Sequence, residues 1–291
     1  MAFFAVGTSA TTPLLQSEVV DESEWKVNGK EVTVLLGRFV KWLKENGAMF
    51  DKVKPVWTRH GGFELQVVSA CKTGETLVQM PISLFLGPKT VEKSWLRTLL
   101  DPLPVPERVQ VLLMWEDSNA TSFFRPYLDM LPRTFDSPLF WTRDQAKELQ
   151  GTSLLDRSIT LRYEMPRSWH ELKALVLDKH ASLFPSDTFT YDKYLWSYSI
   201  VRSRAFGNFT LMPLLGTQFS CFTSTKVHIL TQKALLDLLN HHPMSRLAPT
   251  LMADGTGDRL IAQADLGVGE KVWGFYGFKS DSELVRQKKN V

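Results

Sequence analysis

The order of residue patterns predicts an α+β chain: alternating strand segments near the start, a long middle punctuated by helix caps, and strand signals again before the end. A chain of 291 residues with 44% apolar and 11% aromatic content is large enough to close a substantial core. No repeat of fixed period and no low-complexity tract competes with that reading.

The first helix is expected over 34–46, where Leu35, Leu36, Phe39, Val40 and Leu43 recur at helical spacing and Gly47 follows as a left-handed cap. Phe63, Leu65 and Val67 then alternate with Glu64 and Gln66. After a turn at Lys72-Thr73-Gly74 comes a second strand, 75–80, stopped by Pro81, so the two are expected to form a β-hairpin. Helix signals dominate next. Pro106 opens one helix, Thr142 with Gln145 forms a capping box, and Ser168 with Glu171 forms another. From 190 to 206, Thr190 is an N-cap and Tyr191, Tyr194, Leu195, Tyr198 and Val201 share one face, which predicts the longest buried helix. The mixture of glycines with Val272, Trp273 and Phe275 over 267–277 returns the chain to strand.

Composition excludes several classes. The formal net charge of +3 is small and its cations are scattered, so neither nucleic acid nor an anionic membrane is an expected partner. No apolar run approaches the roughly 18 to 20 residues that cross a bilayer. Cys71 and Cys221 are too few for a disulfide framework, which fits a reducing compartment. Residues 1–20 carry no Lys or Arg and read as an unstructured start. Cytoplasm or nucleus is the expected location, with a plastid left open.

One segment carries the chemistry. The apolar run Leu235-Leu236-Asp237-Leu238-Leu239 stops at Asn240-His241, and Gly269 to Gly277 follows as a strand ending in Tyr276-Gly277. A buried run that ends by presenting an amide and an imidazole, joined by a later strand, points to a polar pocket closed by two chain segments. His241 and His242 have no third ligand at metal spacing, so no metal is expected.

On these residues the chain resembles the SET-domain protein methyltransferases, the branch of the Rubisco large-subunit and actin-histidine enzymes. The likeness runs from about Phe39 to Arg286 in several spaced blocks: Phe39-Val40-Lys41-Trp42-Leu43, Gly61-Gly62-Phe63-Glu64-Leu65, Ser122 to Leu128, Val201 to Phe206, Asp237-Leu238-Leu239-Asn240-His241, and Tyr276. The resemblance implies a SET-type β-fold of short strands with a helical insertion. It divides the chain into an unstructured 1–30, a first part of the domain over 31–90, an insertion over 91–189, a second part over 190–286 and a tail over 287–291. It also implies S-adenosylmethionine as cofactor, a protein substrate methylated on lysine or histidine nitrogen, and a monomer. Gly62, Phe63, Glu64, Arg204, Asp237, Asn240 and His241 would hold the cofactor, and Tyr276 would be catalytic at the mouth of the methyl-transfer channel. The zwitterionic end of such a cofactor needs amide and charged partners, and the transferring methyl needs an aligned acceptor.

Two departures accompany the resemblance. Glu64 stands where the family's glycine-x-glycine loop has its second glycine. About 20 residues, Gly216 to Ala234, separate Leu211-Met212-Pro213-Leu214-Leu215 from the Asp-x-x-Asn-His block, a long connection that is either an extruded loop or sequence retained from an intron. In the family a pocket-closing segment and a helical substrate-binding domain lie beyond the position of Arg286. The rival expectation is therefore a noncatalytic module that docks partners through its helical middle.

Overall fold

The computed structural model describes residues 25–59, 61–208, 229–242, 247–251 and 255–274. Its first strands, β1 (Lys26–Val27) and β2 (Lys30–Glu31), form a ribbon that leads into α1 (Val32–Glu45). Within the stretch 1–30 expected to be unstructured, residues 25–30 are ordered and the Trp25 ring lies 4.7 Å from Trp57, while residues 1–24 lie outside the described residues. The Asn28 amide donates to the carbonyls of Asp129 and Leu131, and Lys30 pairs with Asp129 at 2.6 Å. In α1, Leu35, Leu36, Phe39, Trp42 and Leu43 are buried. The chain leaves it through Gly47 at φ 84°, the left-handed geometry that its glycine anticipates.

Strands β3 (Val53–Thr58), β4 (Gly62–Val67), β5 (Thr76–Pro81) and β6 (Phe85–Leu86) follow. The expected hairpin between 63–68 and 75–80 does not form. Both edges of β4 are occupied, one by β3 in register Val56↔Glu64 and the other by a late strand, while β5 crosses into a different sheet. The Val67 N–H is taken by the Glu270 carbonyl, and Cys71 bridges Leu266, so long-range partners capture the stretch between the strands. Pro55 sits in β3 because that strand is a sheet edge, where a missing N–H breaks no ladder.

The helical section comprises α2 (Pro88–Lys93), α3 (Arg97–Leu100), α4 (Val105–Ser118), α5 (Arg125–Leu128), α6 (Arg143–Lys147), α7 (Ser153–Leu172) and α8 (Tyr191–Arg204). Pro106 stands in the first turn of α4, and the Thr142–Gln145 box caps α6 in both directions. The Ser168–Glu171 box does not cap anything. Both residues lie inside α7, whose buried Met165, Trp169 and Leu172 carry the helix through the local signal, and Glu171 pairs with Arg167 instead. Thr190 caps α8 by accepting the Lys193 N–H at 3.2 Å. At 20 residues α7 is the longest helix, against 14 for α8. Nor does α8 bury a single stripe, because Trp196, Ser197, Ser199 and Ile200 are enclosed along with Tyr194 and Val201.

Strands β7 (Phe206–Asn208), β8 (Ile229–Lys233), β9 (Asn240–His241), β10 (Leu247–Leu251), β11 (Gly257–Ala262) and β12 (Lys271–Gly274) complete the fold. The larger sheets have the orders β3-β4-β12-β9, β10-β11-β5 and β6-β8-β7. The last corrects the reading of 216–234 as extra sequence. Ile229 to Lys233 pair with strands on both sides and Ala234 and Leu235 are fully buried, so this end of the segment is core; the remainder lies outside the described residues.

Within β8, Lys233 is a buried cation paired with the buried Asp258 of β11. Its ammonium also lies 5.6 Å from the Phe85 ring and 5.3 Å from that of Phe206, one on each neighbouring strand. Two sheets are thus riveted by one ion pair in an apolar setting. Removing a single partner strands the other charge, so Lys233→Met or Asp258→Ala is expected to lower unfolding free energy by about 3–5 kcal/mol. The double replacement Lys233→Met with Asp258→Leu should recover most of that loss in urea titrations.

Candidate functional site

The sequence block Leu235 to His241 folds as a short 3₁₀ turn, Leu236–Leu238, that runs directly into β9. Four leucines are buried around Asp237, which is itself fully enclosed. A carboxylate there requires partners, because burying an unpaired charge is prohibitive. The Tyr127 hydroxyl donates to Asp237 Oδ2 at 2.9 Å, and Arg204 Nη1 lies 3.2 Å from the same oxygen. Burial, and after it the charge of Asp237, push the Tyr127 phenol well above its ordinary range, so it stays protonated and keeps donating. Arg204 ends α8 and Tyr127 belongs to α5, so three elements from distant sequence meet on one oxygen atom.

Three residues further on, Asn240 makes a different contact. Its Nδ2 donates to the Gly61 carbonyl at 3.2 Å, bridging β9 to the turn between β3 and β4. That turn is held from below by the Gly61 N–H, which donates to Thr58 Oγ1 at 3.0 Å. Gly62 adopts φ 63°, a conformation side chains disfavour. A Cβ on Gly61 would come within 2.7 Å of a Glu64 carboxylate oxygen and 2.8 Å of Thr58 Oγ1. A side chain at Gly61 would therefore have to displace the Glu64 carboxylate and the Thr58 hydroxyl.

Strand β12 closes the arrangement. It pairs antiparallel with β4 through Val272↔Leu65 and parallel with β9 through Trp273↔Asn240 and Gly274↔His241. Lys271 forms an ion pair with the buried Glu64, and its ammonium sits 4.2 Å from the centre of the Trp273 ring. The His242 N–H donates to the Gly274 carbonyl at 3.0 Å, and its imidazole centre lies 5.2 Å from that of Trp273. Among the described residues no cluster of three His, Cys, Asp or Glu forms a metal centre, and no helix is long and apolar enough to cross a membrane.

The residues singled out from sequence thus divide into two groups. Gly62, Phe63, Glu64, Asn240 and His241 meet where β4, β9 and β12 converge. Asp237 and Arg204 form a buried clasp behind them, with the carboxylate sealed from solvent. Tyr276 lies outside the described residues, two positions beyond the end of β12. Sequence reasoning passed over Tyr127 as a partner of Asp237, although an aspartate inside a leucine run signals that a buried donor must exist. It also passed over Lys271, whose pairing with Glu64 spans two thirds of the chain and leaves no local trace.

Tyr127→Phe removes one charge-assisted hydrogen bond while Arg204 remains, and should lower stability by about 1.5–3 kcal/mol. Asp237→Ala removes the carboxylate that Tyr127 and Arg204 share and should cost about 3–5 kcal/mol in chemical denaturation. A Tyr127→Phe protein as stable as the parent would remove the clasp from the account of the fold.

Set against known proteins, the chain matches no protein-family model. It is 29% identical over 214 residues to the chloroplastic fructose-bisphosphate aldolase-lysine N-methyltransferase of Arabidopsis thaliana, covering 70% of this chain and 39% of that protein. With the chloroplastic Rubisco large-subunit N-methyltransferase of Nicotiana tabacum it shares 27% identity over 196 residues, 67% of this chain and 40% of the relative. The human actin-histidine N-methyltransferase is 26% identical over 257 residues, 84% of this chain and 40% of the other. Among solved structures, the SET domain of LSMT bound to lysine and AdoHcy superposes with TM-score 0.75 at 22% identity, over 89% of this chain and 57% of that one. Rubisco LSMT bound to sinefungin and monomethyllysine gives 0.72 at 24% identity, over 87% and 55%. The chain has the SET-domain fold, its homologues are protein lysine and histidine methyltransferases, and it spans about two fifths of the length of these relatives.

Proposed function

We propose that this chain carries the cofactor and methyl-transfer centre of a protein N-methyltransferase that uses S-adenosylmethionine, with a lysine side chain of a protein as acceptor and histidine as the second acceptor type. The observation that carries the reading is the Asn240 amide bound to the Gly61 carbonyl where β9 and β12 run side by side. An aldolase-lysine N-methyltransferase, a Rubisco large-subunit N-methyltransferase and an actin-histidine N-methyltransferase among the relatives support it, and SET structures that hold AdoHcy or AdoMet support the choice of cofactor.

The residues present fit that group. A turn in which Gly61 leaves room for the Glu64 carboxylate and the Thr58 hydroxyl, followed by a left-handed Gly62, offers backbone amides and carbonyls at close range, as the amino-acid end of the cofactor requires. Gly62, Phe63, Glu64, Asn240 and His241 would hold it, with Arg204 and Asp237 fixing Asn240 from behind through the 3₁₀ turn. When bound, S-adenosylmethionine supplies an electrophilic methyl on a sulfonium. In this reading Tyr276, two positions after β12 in sequence, orients the acceptor nitrogen with its hydroxyl and surrounds the developing charge with oxygen dipoles. We assign 31–90 and 190–286 to the catalytic fold and 91–189 to the insertion that builds part of the substrate groove. The plant relatives are chloroplastic, which keeps a plastid alongside cytoplasm and nucleus as the site of action.

Calorimetric titration of the chain with S-adenosylhomocysteine is expected to give saturable binding, weakened by Asn240→Ala by about tenfold, the equivalent of one lost hydrogen bond. Transfer of labelled methyl to candidate proteins should fall in Tyr276→Phe while that binding persists. Absence of binding by the parent chain would favour the noncatalytic alternative, and label transfer retained in both variants would reject the residue assignment.

A further inference from the structure

One feature of the site follows neither the family pattern nor the needs of the sheet. Glu64 puts a carboxylate where the resemblance calls for glycine, on a strand whose neighbours already satisfy its backbone. The side chain is not turned out to solvent. It is 7% exposed, it pairs with Lys271 on the neighbouring β12, and one carboxylate oxygen lies 2.7 Å from the position a Cβ would take on Gly61. Lys271 is in turn fixed over the Trp273 ring, and Trp273 is in register with Asn240. The chain of contacts is closed: Glu64 to Lys271, Lys271 to Trp273, Trp273 beside Asn240, Asn240 to Gly61, and Gly61 back to Glu64.

We infer that the Glu64–Lys271 pair is a latch that holds the Gly61–Gly62 turn in its binding conformation against Asn240, making both residues positioning residues of the cofactor site. A glycine at position 64, with Phe63 between it and the Gly61–Gly62 pair, would leave this turn free to sample many backbone states, each of which must be given up on binding. An ion pair packed against Gly61 removes those states beforehand. The latch rests on the proposed function for the identity of the ligand, but its hold on the turn does not.

Amide hydrogen exchange of the free chain therefore comes first. Glu64→Gln and Lys271→Met are each expected to speed exchange at Gly61 and Gly62 by about tenfold while α4 and α8 keep their protection. The exchanged pair Glu64→Lys with Lys271→Glu should bring both rates back toward the parent, which a merely destabilised fold would not do. Unchanged exchange in both single variants overturns the latch. Titration with S-adenosylhomocysteine then reads its purpose, with affinity expected to fall about tenfold in each single variant and to return in the exchanged pair. If exchange rises and affinity does not move, the link to the cofactor is overturned. If the exchange result is as expected but the parent chain binds no S-adenosylhomocysteine, the proposed function falls and the latch stands. Glu64→Gly adds a decisive sign: tighter binding in that variant would make the carboxylate an obstruction, the reverse of the inference.

Discussion

The site is anchored by one buried carboxylate. Asp237 sits in a run of leucines with no exposed surface, so its charge is tolerable only if partners such as a hydroxyl and a guanidinium are delivered to it. Tyr127 and Arg204 deliver them, and in doing so they settle where α5 and the end of α8 stand relative to the 3₁₀ turn. Asn240 lies three residues beyond that carboxylate. Its reach to Gly61 depends on the turn being held still, so the polar face of the site inherits its position from a charge cluster that never meets solvent.

A second buried pair plays the corresponding part at a distance. Lys233 and Asp258 join β8 to β11, and the rings of Phe85 and Phe206 cover the ammonium from the flanking strands. Small sheets of three or four short strands have little surface with which to align one another. Specific polar contacts in an apolar setting can set their relative placement because wrong arrangements leave a charge unpaired. The fold uses this device twice, at Asp237 and at Lys233, while Glu64 and Lys271 apply it at the rim.

What could be read from sequence was what is decided locally. The α1 stripe with its Gly47 exit, the Thr142–Gln145 box and the Thr190 cap depend on neighbours within a turn or two, and each stands in the structure. The Asn240-His241 motif was legible because an apolar run seldom ends that way. Long-range competition decided the rest. The supposed hairpin failed because β4 is claimed on both sides by strands that spacing alone does not reveal, and the Ser168–Glu171 box failed because buried Trp169 and Leu172 outweigh a capping signal worth roughly one kcal/mol. Lys233 escaped notice because nothing in a polar, β-branched stretch marks a lysine as buried. The partners of Asp237 escaped because they stand 110 and 33 residues away.

The parallel pairing of β9 with β12, and the antiparallel pairing of β12 with β4, also set an order of events during synthesis. Helices α4, α7 and α8 draw on contacts within about 100 residues of sequence and can assemble while the ribosome is still at work. Strand β4 must wait for a partner encoded some 200 residues later, its inner edge open throughout that interval. Each newly made copy therefore passes through a stage in which the helices are built and a bare strand edge is exposed, the stage at which chaperones would find it and at which crowding of nascent chains would do the most harm.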